Sequence, residues 1–169
     1  QKKFRLLRNG SKVLDLGCAP GAWVQVALPL VGANGLVVGI DLEKIEKETI
    51  NDPRFRFIHG DAFKLSPEDL PEGPFDVVLS DMAPKTSGVK IRDQALSAEL
   101  CLHALNVARS HLKPGGALVV KLFEGEDAER VRKEIGATFA ELKAFRPEST
   151  RQASVEIYLV ATGRKKSAD

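Results

Sequence analysis

The chain has 169 residues, of which 43% are hydrophobic and 28% are charged, and its formal net charge at pH 7 is only +2. These proportions are ordinary for one soluble globular domain, which we expect to extend over residues 1–169 with a polar tail at 164–169. The longest apolar runs, such as GALVVKLF, are far shorter than the ~20 residues that cross a bilayer, so the composition excludes a membrane-spanning protein.

Apolar runs alternate with amphipathic stretches along the chain, which predicts alternating strands and helices. The first five predicted strands are KVLDLG, GLVVGIDL, RFRFIHGD, FDVVLSD and GALVVKLF, and helices are predicted over 21–31, 92–112 and 126–139. The fourth strand is almost continuously apolar, as expected for a strand that helices cover on both faces. This alternation predicts a parallel sheet with right-handed crossovers.

The last two predicted strands, ELKAF and VEIYLVATG, follow a different arrangement. Only a short polar segment separates them, which leaves no room for a crossover helix, so we expect this pair to be antiparallel. A mostly parallel α/β sheet that finishes in an antiparallel hairpin departs from the usual dinucleotide-binding arrangement.

A glycine turn links the first strand to the first helix in VLDLGCAPGAW. The strand ends before Gly17, and Gly21 begins the helix, so three residues separate the two glycines. A dinucleotide site would have G-x-G-x-x-G, in which the second glycine lets a pyrophosphate approach the backbone. The missing glycine therefore favours a smaller group, such as an amino-acid moiety or an adenosine. Trp23, at the start of the helix, is either a packing residue or a wall of the ligand pocket.

The second, third and fourth predicted strands each end in an aspartate, at Asp41, Asp61 and Asp81. One such aspartate often only caps a helix or forms a turn. Three at the same edge of a sheet indicate a ligand that is rich in hydroxyl, amino and cationic groups. S-adenosylmethionine fits this description better than NAD, because it has one ribose, no phosphate and a net positive charge. Asp41 is placed to accept hydrogen bonds from the ribose hydroxyls.

Two charged residues interrupt apolar strands near the end of the chain, Lys121 in GALVVKLF and Glu156 in VEIYLVATG. A buried lysine is costly unless it is paired or functional, although Lys121 could also extend from the strand end to water. If the last strand lies antiparallel beside the fifth, then Asp81, Lys121 and Glu156 converge on one edge. Such a cluster beside a methyl donor indicates proton transfer from a weakly acidic hydroxyl. The sequence leaves open whether the carboxylates tune the lysine or mainly orient it.

Taken together, these segments resemble the FtsJ/RrmJ family of ribosomal RNA 2′-O-methyltransferases, over about residues 10–164. The motifs that carry the resemblance are LDLGCAPGAW, IDL, HGD, LSDMAPKTSG, VVKLFEGE and RPESTRQASVEIYLVATG. The resemblance implies a class I methyltransferase fold, with a seven-stranded sheet whose last strand is antiparallel. It also implies S-adenosylmethionine as donor and a ribose 2′-hydroxyl as acceptor, which in the bacterial members belongs to a uridine of the large-subunit ribosomal RNA.

The resemblance further implies roles for individual residues. The family's catalytic set is Lys-Asp-Lys-Glu, and by motif Asp81 matches its aspartate, Lys121 its second lysine and Glu156 its glutamate. The second lysine is usually the general base, in agreement with the strand argument. Positions that contact the cofactor in the family correspond here to Gly21, Trp23, Asp41, Asp61 and Asp81. Gly17, the first glycine of the turn, is expected to lie beneath the donor as well.

This chain departs from the family pattern at two points. The family's first catalytic lysine lies on a helix well before the first strand, and Lys2 and Lys3 are at the wrong spacing to replace it. We therefore expect that helix to be absent here and leave the role unassigned. Lys85 stands where the family usually has asparagine, a change that concerns RNA contacts rather than the catalytic set.

The distribution of basic residues bears on the partner. They gather in the first twelve residues, near the C-terminal end, and in a loop that carries Lys85, Lys90 and Arg92. These are either solvated surface residues or contacts to RNA phosphates. We expect a monomeric cytoplasmic protein that acts on ribosomal RNA or the large ribosomal subunit and has neither a membrane partner nor a metal.

Other functions remain to be weighed against this one. Methylation of transfer RNA would use the same active-site residues, and a catalytically silent module for RNA binding or ribosome assembly would share the fold. Transfer to a nitrogen is disfavoured because the segment from Asp81 to Pro84 is not an Asn/Asp-Pro-Pro-aromatic motif. Cytosine C5 methylation needs a nucleophilic cysteine, and neither Cys18 nor Cys101 is suitably placed. Both cysteines instead fit a reducing cytosol.

Overall fold

Seven strands form a single sheet within the residues that the computed structural model describes, which are 5–45, 49–146 and 155–166. The order across the sheet is β3-β2-β1-β4-β5-β7-β6. The strands are β1 (Lys12–Leu16), β2 (Leu36–Asp41), β3 (Phe55–His59), β4 (Phe75–Ser80), β5 (Leu112–Phe123), β6 (Phe139–Phe145) and β7 (Glu156–Arg164). The helices are α1 (Ala22–Val31), α2 (Lys90–His111) and α3 (Ala128–Thr138). The polar segment predicted to join the last two strands lies largely outside the described residues.

Helices cover both faces of the sheet, because each contributes an apolar stripe to one of two cores. On one face α1 buries Val24, Ala27, Leu28 and Val31, whose spacing is that of a single helical stripe. On the other face α2 and α3 pack against the remaining side chains of the same strands. The central strands therefore carry apolar side chains on both faces, as the continuous apolar run of β4 predicts.

The strand directions confirm the predicted fold class. The pairs β1–β2, β1–β4, β2–β3 and β4–β5 are parallel, whereas β7 runs antiparallel to both β5 and β6. The predicted antiparallel hairpin is thus present, and β7 also lies beside β5 as expected. The strand order reverses between β1 and β4, and in open α/β sheets ligands bind at the carboxyl ends of the strands around such a point.

The helix α2 begins earlier than the sequence pattern predicts, at Lys90 rather than Arg92. The reason is local, since the backbone N–H of Asp93 donates to the carbonyl of Val89 at 3.0 Å and closes the first turn there. The assignment of Lys90 and Arg92 to a loop was therefore wrong. Both lie in the first turn of α2, and only Lys85 lies in the loop before it.

The strand β5 is longer than the predicted GALVVKLF and also includes Leu112 and the Lys-Pro-Gly segment before it. It pairs with β4 at Leu112 and again from Ala117, with a bulge between the two registers. Gly115 has a φ of 81°, a conformation that glycine adopts without strain.

Within the described ranges, none of the helices is both long and apolar enough to span a membrane.

Candidate active site

The turn after β1 brings the backbone close to neighbouring groups at the carboxyl edge of the sheet. The N–H of Gly17 donates to the carbonyl of Ile40 at 2.9 Å, which fastens the turn to the end of β2. Gly17 has a φ of 74°, and a Cβ atom built on it would lie 2.7 Å from Cγ of Met82. A side chain at this position would therefore be strained and would crowd the segment after β4.

Gly21, at the start of α1, also has a backbone conformation and a close neighbour that exclude a side chain. It is the N-cap of the helix with a φ of 108°, and a Cβ here would lie 2.5 Å from Cδ1 of Ile50. The predicted role of both glycines in shaping the turn has a clear structural basis.

Asp41 joins two of the loops at this edge. Its Oδ2 accepts a hydrogen bond from the backbone N–H of Ala19 at 2.8 Å, and its Oδ1 accepts one from the N–H of Glu43 at 2.8 Å. Each carboxylate oxygen retains a second lone pair, so Asp41 can accept further hydrogen bonds from a ligand.

Asp61 caps the short 3-10 turn Ala62–Lys64 that follows β3. Its Oδ1 accepts from the N–H of Phe63 at 2.9 Å. The same turn is held against α2 by His103, whose Nε2 lies 2.8 Å from the carbonyl of Ala62. The His103 ring also stacks on Phe63 with a centroid separation of 3.9 Å. Asp61 is thus fixed at the rim of the site by two elements.

A cavity of about 310 Å³ lies among these loops. Four of the predicted cofactor-binding residues line it, namely Gly17, Asp41, Asp61 and Asp81. Trp23 lies apart from this lining, half-buried, with its ring centroid 5.5 Å from that of Tyr158. The ring packs beside Tyr158, and its predicted contact with the cofactor stays a prediction.

The predicted convergence of Asp81 and Lys121 is present in the structure. Lys121 Nζ lies 3.1 Å from Asp81 Oδ1, and the side chains are 12% and 34% exposed, respectively. Glu156 begins β7 opposite Phe123, and by strand alternation it shares a sheet face with Lys121. The ion pair therefore lies between the cavity, which Asp81 lines, and the paired strands β5 and β7.

Tyr158 is a member of this cluster that the sequence analysis missed. It pairs with Lys121 across β5 and β7, and its hydroxyl donates to Asp81 Oδ1 at 2.9 Å. Burial raises the pKa of Tyr158, and the charges of Asp81 and Glu156 raise it further, so the hydroxyl stays a donor at neutral pH. Strand alternation could have indicated it, because Tyr158 lies two residues after Glu156 and hence on the same face.

Asp15 is a second residue that the sequence analysis did not single out. It lies on β1 with no solvent exposure, and within the described chain both of its carboxylate oxygens lack a hydrogen-bond partner. Burial raises the pKa of Asp15 well above its usual value, and the charges of Asp81 and Asp41 add to that effect. The signal was the same as for Lys121, a charge within an apolar strand.

The two cysteines have the properties of buried apolar side chains. Cys101 donates from Sγ to the carbonyl of Lys121 at 2.9 Å, and burial raises the pKa of this thiol to about 12. Burial also raises the pKa of the Cys18 thiol. Neither cysteine is suited to act as a nucleophile at neutral pH.

The described residues contain no cluster of His, Cys, Asp and Glu that could hold a metal ion.

Comparison with known proteins identifies a family whose model the chain matches. The family model described as FtsJ-like methyltransferase matches residues 1–164. A protein of Desulfatibacillum aliphaticivorans named Ribosomal RNA large subunit methyltransferase E is 48% identical, over 98% of this chain and 80% of its own length. A protein of the same name from Bdellovibrio bacteriovorus is 44% identical, over 97% of this chain and 85% of its own length.

Solved structures share the fold. A Plasmodium falciparum protein, described as a ribosomal RNA methyltransferase, superimposes with a TM-score of 0.84 at 27% identity and covers 96% of this chain and 91% of its own. Fibrillarin of Aeropyrum pernix, whose structure holds S-adenosylmethionine, superimposes with a TM-score of 0.69 at 17% identity and covers 93% and 68%.

Proposed function

Because this chain belongs to the FtsJ-like methyltransferase family, we propose that it transfers a methyl group from S-adenosylmethionine to the ribose 2′-hydroxyl of a uridine in large-subunit ribosomal RNA. The names of its relatives support the choice of ribosomal RNA as substrate. The arrangement of the residues around the cavity supports the choice of a hydroxyl acceptor.

The residues around the cavity fit S-adenosylmethionine, the cofactor that the sequence predicts and that agrees with the family. Asp41 would accept hydrogen bonds from the ribose hydroxyls, and Asp61 would accept one from the adenine amino group. Gly17 lines the cavity and carries no side chain, so the donor could lie against the backbone of this turn. The three carboxylates of Asp41, Asp61 and Asp81 suit a cationic cofactor.

The observation that carries the proposed acceptor chemistry is the 3.1 Å ion pair between Lys121 Nζ and Asp81 Oδ1 beside the cavity. The cofactor, when bound, would supply an electrophilic methyl group on a sulfonium, whose sulfur would keep the electron pair of the broken S–CH3 bond as a neutral thioether. Lys121, in its neutral form, would take the proton of the hydroxyl as the oxygen attacks that methyl group. Asp81 would then stabilise the charge that develops on Lys121, because it is already in position.

Asp81 is itself held by Tyr158, which donates to the same oxygen at 2.9 Å. Glu156, on the same strand face, adds negative charge close to the cluster. We assign Glu156 to the orientation of the acceptor ribose, in keeping with its family motif. Alignment of hydroxyl, methyl group and sulfonium would supply much of the rate enhancement.

The exposed basic side chains of Lys85, Lys90 and Arg92 are proposed to contact RNA phosphates. They lie directly after β4 in sequence, on the loop and first turn that follow Asp81. This position would let RNA reach the hydroxyl-activating cluster while its backbone is held nearby.

The test is to incubate the protein and labelled S-adenosylmethionine with ribosomal subunits, free ribosomal RNA and transfer RNA, and to map the modified nucleotide. We expect label on a ribose 2′-oxygen of the large-subunit RNA. Label on a base would overturn the proposed chemistry, and label only on transfer RNA would replace the substrate.

The Lys121→Ala variant separates catalysis from a binding role. We expect its methyl transfer to fall by roughly 10²–10⁴-fold, the usual contribution of a general base, with S-adenosylmethionine affinity within about threefold. Lys143→Ala is the matched control, since that lysine is 63% exposed on β6 and pairs only locally with Glu141. Wild-type methyl transfer by Lys121→Ala would remove Lys121 from the mechanism. A silent assembly module would instead show no transfer by the wild type.

A further inference from the structure

The segment from Met82 to Val89, which we term the acceptor loop, connects β4 to α2. Met82 and Ala83 line the cavity at its start, whereas residues 85–89 are exposed. One end of this loop therefore borders the cofactor site, and its other part faces the solvent from which RNA would approach.

A buried carboxylate ties the exposed part of the acceptor loop to the helix that follows. Asp93, which is only 8% exposed, accepts from the backbone N–H of Ser87 at 2.9 Å and 3.2 Å and from the Ser87 hydroxyl at 2.7 Å. The Ser87 hydroxyl also accepts from the N–H of Val89 at 3.2 Å. These hydrogen bonds with Ser87 lower the pKa of Asp93, so its charged form is the one that holds the loop.

The next residues of α2 are fixed to the strand that carries Lys121. Ser97 accepts from the N–H of Phe123 at 3.0 Å, and Cys101 donates to the carbonyl of Lys121 at 2.9 Å. Gln94 also donates to the carbonyl of Glu124. These three side chains lie on one stripe of α2, directly after Asp93. The helix thus connects the acceptor loop rigidly to the carboxyl end of β5.

We propose that Asp93 is a positioning residue, which holds the acceptor loop and Lys85 in register with Lys121 so that bound RNA presents its hydroxyl to the catalytic cluster. This inference rests on the proposed function, since it assumes that RNA is the acceptor. Asp93 does not contact the reacting atoms, and it acts through Ser87 and the loop backbone.

The expected consequence follows from the cost of ordering a loop. Without the bonds to Asp93, the exposed residues would sample more conformations, and RNA binding would have to order them. The effect should therefore appear in the KM for RNA rather than in kcat at saturating RNA. If the hydrogen bonds of Asp93 only stabilised the start of α2, their loss would lower thermal stability without raising the KM for RNA.

The experiment compares Asp93→Ala, Asp93→Asn and Ser87→Ala with Glu99→Ala, a control that removes an exposed carboxylate from the same helix. For Asp93→Ala we expect an increase of about tenfold in the KM for RNA, with kcat within about threefold and S-adenosylmethionine affinity within about twofold. Asp93→Asn, which keeps one acceptor oxygen, should restore part of the RNA affinity. Ser87→Ala should give a smaller increase, and the Ser87→Ala/Asp93→Ala double variant should be no worse than Asp93→Ala.

A second readout needs no RNA. Trypsin cleavage after Lys85 should be several-fold faster in Asp93→Ala than in the wild type or Glu99→Ala, because the loop opens more often. If KM and cleavage rate match those of Glu99→Ala while the melting temperature falls, Asp93 only stabilises the helix start and the proposal is wrong. If Asp93→Ala does not fold, the KM for RNA and the cleavage rate of Ser87→Ala and Asp93→Asn are compared with those of Glu99→Ala instead. Failure of the wild type to methylate RNA would refute the proposed function separately from the cleavage result.

Discussion

At the scale of single residues, the hydroxyl of Tyr158 is the group whose removal tests the architecture of the cluster most directly. Tyr158→Phe removes the 2.9 Å hydrogen bond to Asp81 but keeps the aromatic ring beside Trp23. A hydrogen bond to a charged group contributes about 1.5–3 kcal/mol, so we expect kcat to fall by roughly tenfold or more. Steady-state kinetics with saturating cofactor measure this effect.

Tyr158→Ala is the informative comparison, because it removes the ring as well. We expect it to lower the melting temperature more than Tyr158→Phe does, since the packing against Trp23 is removed too. Wild-type kcat in Tyr158→Phe together with a decrease in Tyr158→Ala would assign the residue to packing alone.

The buried carboxyl of Asp15 is expected to make the free energy of unfolding depend on pH. Its pKa is raised in the folded state, so the folded protein binds that proton more tightly than the unfolded chain does. The contribution of Asp15 to stability is therefore most favourable below about pH 4 and is lost as the pH rises toward the folded-state pKa. Asp15→Asn removes this dependence.

Urea denaturation at pH 5, 7 and 9 provides the measurement. We expect Asp15→Asn to gain stability relative to the wild type as the pH rises, by up to about 1.4 kcal/mol per pH unit between the unfolded-state and folded-state pKa values, because only the carboxyl must keep a proton or be buried charged. Asp76→Asn is the control, because it removes a carboxylate that is 33% exposed and accepts from Lys113 at 2.8 Å. A difference between Asp15→Asn and the wild type that stays constant with pH would contradict the raised pKa.

At the scale of elements, the sequence predicts the pairing of strands better than it predicts the start of helices or the partners of side chains. The short connection before β7 indicates its antiparallel direction, and this direction places Tyr158 opposite Lys121. The start of α2 at Lys90 depends on local hydrogen bonds that Asp93 makes with Val89 and Ser87, and no periodicity reveals them. The early start of β5 likewise depends on a bulge opposite β4.

The candidate site also contains some residues that the sequence predicts and others that it does not. Glycines and strand-end aspartates could be found because a turn and a sheet edge impose fixed positions on the chain. The sequence shows a charge within an apolar strand at Asp15, but packing decides that both of its carboxylate oxygens lack a partner among the described residues. Sequence thus indicates which groups reach the edge, and packing decides which of them remain without a partner.

At the scale of the whole molecule, the sheet places the residues proposed for the donor and for the acceptor on opposite sides of the point where strand order reverses. The strands β1, β2 and β3 contribute Gly17, Asp41 and Asp61, whereas β4, β5 and β7 contribute the cluster around Lys121. Asp81 follows β4, borders the cavity and pairs with Lys121, so it belongs to both halves. In the proposed mechanism, cofactor binding and hydroxyl activation meet at this residue.

The net charge of +2 is too small for the protein to bind RNA through its overall charge, so binding should depend on a local basic surface. Removing one side chain that neutralises a phosphate is expected to reduce the slope of log K against log salt by about 0.7–0.9. The combined Lys85→Ala, Lys90→Ala and Arg92→Ala variant should therefore reduce the magnitude of the slope by roughly 2 and weaken binding at low salt. Filter binding of ribosomal RNA between about 50 and 200 mM salt measures the effect.

The matched control for this surface is Arg130→Ala combined with Lys133→Ala and Lys143→Ala, which removes three exposed basic side chains from α3 and from the edge strand β6. The control should retain the wild-type slope, because these residues lie at the end of the strand order away from β1 and β4. Equal slopes for the control and the triple variant would mean that RNA contacts are spread over the surface. In that case the loop and first turn after Asp81 would not position the substrate.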